Sequence, residues 1–138
     1  MQPDPRAEGR RWLGQAELDL DDARYSRDGD RHSLACFLCQ QAAEKALKAF
    51  LILREEEETW GHSVGELSER AAALDGGFVT LVDDARSLDV FYIPTRYPNG
   101  LPGGLPGRAF GPEDSRRALD KAERIIRAVA TAFERDVD

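Results

Sequence analysis

The most constraining stretch of this sequence runs from Ser33 to Glu56, where apolar residues occupy most of the circumference of a helix. Leu34, Phe37, Leu38, Ala42, Ala46 and Ala49 fall on one stripe at helical spacing, and Cys36, Cys39, Ala43, Leu47 and Phe50 on another. A helix apolar on nearly every side has to be central, buried against several neighbours. Its narrow polar strip is Gln41, Glu44, Lys45 and Lys48. The acidic run Glu55 to Glu58 is read as a solvated turn that ends it.

The remaining chain supplies helices to surround it. Leu13, Ala16, Leu20 and Ala23 repeat at helical offsets within a first segment, about residues 5–27, and Asp28-Gly29-Asp30 provides the break and cap. Ser63-Val64-Gly65-Glu66 has the form S-x-x-E of a capping box, which starts a third helix at Ser63. Val64, Leu67, Ala71 and Leu74 continue that helix to Asp75-Gly76-Gly77. A fourth helix is expected over 79–92, with Leu81, Ala85, Leu88 and Tyr92 on one face. Pro94 and Pro98 end it, and Asn99 to Pro112 contains five glycines and three prolines, so no helix persists there. Pro112 suits the first turn of a last helix carrying Ala118, Ala122, Ile125, Val129 and Phe133. No segment reads as a strand. The expected fold is all-α, an antiparallel bundle of four main helices plus a short one, with a long Pro/Gly-rich loop before the last helix. Residues 1–138 are read as a single domain, because 138 residues at 41% hydrophobic and 33% charged match one core under a solvated surface.

The bulk properties restrict function. A net charge of −7 argues against broad binding to nucleic acid or acidic membranes, while leaving room for a local basic site. No run of about 18 apolar residues exists to cross a membrane, and the charged N-terminus lacks the apolar core of a signal peptide, so the cytoplasm is the expected location. Cys36 and Cys39 match C-x-x-C, but they lie on the apolar side of a helix, where cysteine acts as a small hydrophobe. His32 is read as a surface residue. With one further histidine, His62, and no carboxylates at ligand spacing, no zinc site is expected and no cofactor is implied.

The loop after the fourth helix is the anomaly. From Val90 to Pro112 this acidic chain has no Asp or Glu, yet that stretch carries Arg96, Arg108, Tyr92 and Tyr97. Arginine presents a planar fork for phosphate or carboxylate, and tyrosine a stacking face with a hydroxyl. Pro94 and Pro98 flank Thr95-Arg96-Tyr97 and limit where those side chains point. The strip Gln41, Glu44, Lys45 and Lys48 is a second candidate, set against its reading as a solvated face with an ordinary Glu44–Lys48 i,i+4 pair. His62 either faces the site or completes a helix start.

These residues also carry a family resemblance. Ala35-Cys36-Phe37, Gln40-Gln41-Ala42-Ala43-Glu44-Lys45-Ala46-Leu47-Lys48, Trp60-Gly61-His62-Ser63 and Leu88-Asp89 with Tyr92-Ile93-Pro94-Thr95-Arg96-Tyr97-Pro98 together resemble the HEPN family. The resemblance implies a helical bundle, often a homodimer packed through long helices. It also implies an association with a minimal nucleotidyltransferase, as a nucleotide- or substrate-binding module or in a toxin–antitoxin pair. The nuclease branch of the family carries R-x(4–6)-H, whereas no histidine follows Arg96 in this chain. Arg27 and His32 satisfy the R-x4-H spacing, but on the wrong element. The expectation is thus a non-catalytic binding module in which Arg96 and Arg108 engage phosphate. Tyr92, Thr95 and Tyr97 shape the pocket, and Gln41, Lys45, Lys48 and His62 contribute from neighbouring helices. A metal-independent ribonuclease toxin and a purely structural dimer are the alternatives; nucleotide or RNA is the ligand class.

Overall fold

The computed structural model describes residues 4–57, 61 and 63–135. Trp60 and His62, both singled out above, lie outside the described residues. Among the described residues there are five α-helices: α1 (Pro5–Asp28), α2 (His32–Leu53), α3 (Val64–Leu74), α4 (Val82–Leu88) and α5 (Pro112–Arg135). No strand occurs among them.

Local chemistry explains most boundaries. The Asp4 carboxylate accepts a 3.2 Å bond from the Arg6 amide, and Pro5 follows in the first turn, so α1 starts there. At its other end the left-handed residue is Asp30 (φ 61°); Gly29 caps the helix at φ −91°, so the glycine's freedom is not what turns the chain. Helix α2 stops at Leu53, earlier than the expected 56, because Glu55 turns left-handed (φ 58°) and the amides of Glu55 and Glu56 fold back onto the carbonyls of Ile52 and Leu51. Ser63 caps α3, its hydroxyl accepting from the Glu66 amide at 3.2 Å.

The single fourth helix expected over 79–92 is instead three pieces. A 3₁₀ segment at Gly76–Leu81 leads into the seven-residue α4, and a second 3₁₀ turn follows at Asp89–Phe91. Asp75 initiates the first piece by accepting from the Gly77 amide at 2.8 Å. The tighter winding turns Phe78 into the core, where its ring lies 4.5 Å from that of Phe50. Long-range bonding by Asp89, described below, explains the break at the other end.

Helix α2 is central as expected. Cys36, Cys39, Ala42, Ala43, Ala46, Leu47, Ala49 and Phe50 are all buried, in one core cluster with Leu13, Leu20, Leu67, Leu88, Ile125 and Phe133. Helix α1 crosses back along α2, with Trp12 over Lys48 and Asp19 against Lys45. Helix α5 runs antiparallel to α1, since Arg6 reaches the Phe133 carbonyl and Arg24 pairs with Glu123. The bundle leaves the segment between α4 and α5 at the end where α2 begins.

Candidate functional site

The loop from 92 to 111 is a closed excursion rather than a free tether. Its ends meet through an edge-to-face contact between Phe91 and Phe110, ring centres 5.2 Å apart. The buried Ser33 hydroxyl of α2 accepts from the Phe110 amide at 3.2 Å. Between these pins the backbone is a series of short turns, at Ile93 to Tyr97, Pro98–Gly100 and Pro106–Arg108. At Gly100 a Cβ would meet the Ile93 side chain at 2.9 Å and the Pro94 backbone at 3.2 Å, so this close approach requires glycine.

The Arg96 guanidinium sits on this frame. It lies over the Phe37 ring of α2 at 4.6 Å and against the Tyr97 ring at 5.3 Å. Tyr92 extends the aromatic surface, 6.2 Å from Phe37. Thr95 is buried and its hydroxyl donates to the Phe91 carbonyl, while the amides of Arg96 and Tyr97 both bond the Ile93 carbonyl. The turn is therefore closed immediately before Arg96. Aromatic faces attract a guanidinium without using up its N–H donors, which remain for an acceptor. Among the described residues no carboxylate pairs with it.

The acidic residues bounding the loop face elsewhere. Asp89 accepts from the amides of Val64 (2.7 Å) and Gly65 (3.0 Å) and from the Ser63 hydroxyl (2.9 Å), sealing the start of α3. Asp114 accepts from the Gly111 amide at 2.9 Å. Glu113, the first acid after the loop, pairs with Arg116 and Arg117, so none of these carboxylates compensates the guanidinium charge of Arg96 at the surface. Arg108 lies on the Pro106–Arg108 turn, which packs on α2 above the buried Pro106.

The polar strip of α2 goes to a different place. Lys48 and Glu44 are paired at 3.0 Å with side chains only 9% and 6% exposed, so this i,i+4 pair is buried and not the solvated one that its spacing implied. The Lys48 ammonium also lies 5.9 Å from the centre of the Trp12 ring. Lys45 pairs with Asp19 at 2.5 Å, and Asp19 also accepts from Gln15 at 2.9 Å. Gln41 donates to the buried Gln40 at 2.7 Å. The Lys45–Asp19 and Lys48–Trp12 contacts stitch α1 to α2. Lys48, eleven residues beyond Phe37, is about 16 Å along the helix from the Arg96 stack. The structure thus gathers Arg96, Tyr92, Thr95 and Tyr97, and places Lys45 and Lys48 at the α1–α2 seam.

Two participants were not identified as site residues from the sequence. Phe37 was counted with the core stripe, yet it is half-buried and forms the platform under Arg96; the available signal was its position four residues before Gln41, on the polar side. Asp89 belonged to the family motif, but its capping role depends on a partner 25 residues away. His32 is a correction: far from being a surface residue, its side chain is 11% exposed, with Nδ1 2.9 Å from the Ser115 hydroxyl. Arg27 pairs with Asp28, so the R-x4-H residues face separate partners. Cys36 and Cys39 are free and buried; burial, aided by the Asp114 charge, pushes the Cys36 thiol up to about 12, and burial raises Cys39 as well. Protonated, enclosed thiols do not support redox exchange.

A family model for the HEPN domain matches residues 10–133. The chain belongs to the HEPN domain family. Solved structures agree: a protein from Thermus thermophilus superposes with a TM-score of 0.81 at 38% identity, covering 89% of this chain and 96% of its own. An archaeal HEPN homologue gives 0.74 at 34% identity, covering 91% and 97%. A HEPN domain protein from Thermotoga maritima gives 0.72 at 29%, covering 91% and 98%. No curated protein matches the chain. Within this HEPN bundle, no helix among the described residues is long and apolar enough to cross a membrane.

Proposed function

We propose that this HEPN domain is a non-catalytic binding module that captures a phosphate-bearing ligand, a nucleotide or an RNA end, at Arg96. The observation that carries the reading is the exposed guanidinium of Arg96 against the Phe37 and Tyr97 rings, unmatched by any described carboxylate. Phosphate meets the fork of N–H donors bidentately, while Tyr92 and Tyr97 offer faces on which a base stacks. Arg108 adds charge from the same loop. In this reading the protein works as a homodimer beside a minimal nucleotidyltransferase, in a toxin–antitoxin type of pair; family membership supports that setting.

Calorimetric titration with ATP, GTP and a short RNA tests the reading. Binding is expected for the wild type, with a loss of at least tenfold for Arg96→Ala, in line with the roughly 1.5–3 kcal/mol of a charged hydrogen bond. Wild-type protein that binds none of the three, or binds identically after Arg96→Ala, sinks it. RNA cleavage that survives a chelator would instead favour the ribonuclease alternative.

A further inference from the structure

Exposed apolar side chains gather at one end of this bundle. Of the eight large apolar residues exposed among the described residues, five lie there: Leu34 in the first turn of α2, and Val90, Ile93, Tyr97 and Leu105 between α4 and α5. Each is between 40% and 61% exposed. Single exposed apolar residues are ordinary on any surface, whereas a concentration of them marks a contact face.

Contacts tie these residues to one place. Leu34 stands one turn before Phe37 on α2, and Phe37 lies under Arg96 and beside Tyr92. The carbonyl of Ile93 accepts from the amides of Arg96 and Tyr97, and the Ile93 side chain packs against Gly100. The turn holding Val90 and the turn that follows Leu105 both pack on α2. The Phe91–Phe110 contact, the Ser33–Phe110 bond and the close approach at Gly100 fix the loop's course with these side chains turned outward. A face already fixed loses little conformational entropy when something docks on it.

Charge decides what kind of partner fits. All 26 Asp and Glu of the chain lie outside residues 90–112, which hold Arg96 and Arg108, both exposed. Asp30 and Glu113, also exposed, stand at the starts of α2 and α5 that flank this end. A continuous RNA strand carries a charge at every phosphate, so beyond the two arginines it runs onto those carboxylates. The aliphatic groups of Leu34, Val90, Ile93 and Leu105 also give a phosphate backbone nothing to bind. A protein segment with an apolar centre and a few carboxylates meets both features, as interfaces with an apolar core and a polar rim do. We propose that this face docks a protein partner through such a segment, its apolar side chains covering Leu34, Ile93 and Leu105 and its carboxylates drawn to the acid-free loop. This goes beyond phosphate capture, in which the four aliphatic residues have no part.

Selection of a random peptide library, displayed on phage, against the immobilised full chain tests it. The recovered peptides are expected to share apolar residues flanked by Asp or Glu. Leu34→Ser combined with Leu105→Ser should weaken a recovered peptide at least about tenfold in fluorescence anisotropy. Arg108→Glu should weaken it too, whereas Val79→Ser, exposed on the turn before α4, should not. All these side chains face solvent, so the helical spectrum should stay that of the wild type. Should the double variant melt early, each single substitution carries the same test. A library without a consensus, a basic consensus, or peptides indifferent to the double variant overturns the proposal. Binding of a poly-uridine strand that the double variant loses assigns the face to RNA and overturns it as well. None of these outcomes bears on phosphate capture, which Arg96→Ala with ATP decides.

Discussion

The α1–α2 seam and the Arg96 loop use the same chemical classes, cations beside aromatic rings, to opposite ends. At the seam Lys48 lies by Trp12 but is buried and paired with Glu44, and Lys45 is tied to Asp19. In the loop Arg96 lies on Phe37 and Tyr97, exposed, while Asp89 and Asp114 are turned to backbone amides and Glu113 to Arg116 and Arg117. Charges taken out of water must be matched internally, so the seam's cations are bound to protein carboxylates and set how α1 lies on α2. A cation at the surface bears no such demand and is available to a ligand. The contrast teaches that burial and pairing, more than residue type, separate a structural lysine from an arginine left open to solvent.

The largest expected effect breaks the seam. Glu44→Ala leaves the Lys48 ammonium buried beside Trp12 and should cost about 3–5 kcal/mol in urea denaturation. The double change Glu44→Leu with Lys48→Met should cost far less, because no orphaned charge remains. A Glu44→Ala loss below about 1 kcal/mol would place the pair in the class of exposed ion pairs and erase the contrast.

Next comes Asp89, which holds the root of the loop. Asp89→Ala removes acceptors from the Val64 and Gly65 amides and the Ser63 hydroxyl, and should cost about 2 kcal/mol, the upper range for a helix cap. Hydrogen exchange at Val64 and Gly65 should accelerate, while exchange in α5 should follow only the global loss. Equal acceleration everywhere would mean that the cap is not a local device.

Asp75 provides a smaller, pH-dependent comparison. Bonding from the Gly77 amide, with help from Arg135, holds its carboxyl below the ordinary 3.8. A depressed carboxyl contributes stability that is fully present above its unfolded value and is lost as pH falls through the folded one. Wild-type stability should therefore decline more steeply below pH 3.8 than that of Asp75→Asn. Parallel acid limbs for the two proteins would contradict this contribution. The smallest effect on stability is expected at Arg96: Arg96→Ala should change it by no more than about 0.5 kcal/mol even as ligand binding is lost. A large destabilisation would make Arg96 a structural residue like Lys48.

Much of the fold is legible along the chain, because helix periodicity and caps are local. The apolar circumference of α2 places it at the centre, and Ser63 signals the start of α3 from four consecutive residues. The fragmentation of the fourth helix is not local. It follows from Phe78 turning onto Phe50 and from Asp89 reaching back to α3. The loop's unusual charge is visible in the sequence, and so are Arg96, Tyr92, Thr95 and Tyr97. Phe37 is not, since an apolar stripe does not distinguish a core residue from a platform under a cation.

By itself, then, the sequence determines an all-helical chain, its central helix and an arginine in an acid-free loop. Periodicity, caps and composition carry those facts within a few turns of chain. Tertiary structure alone decides which charges are matched. Glu44 and Lys48 are spaced alike whether or not α1 covers them, and only the packing of Trp12 and its neighbours takes that pair out of water. Arg96, on the loop at the start of α2, stays in it.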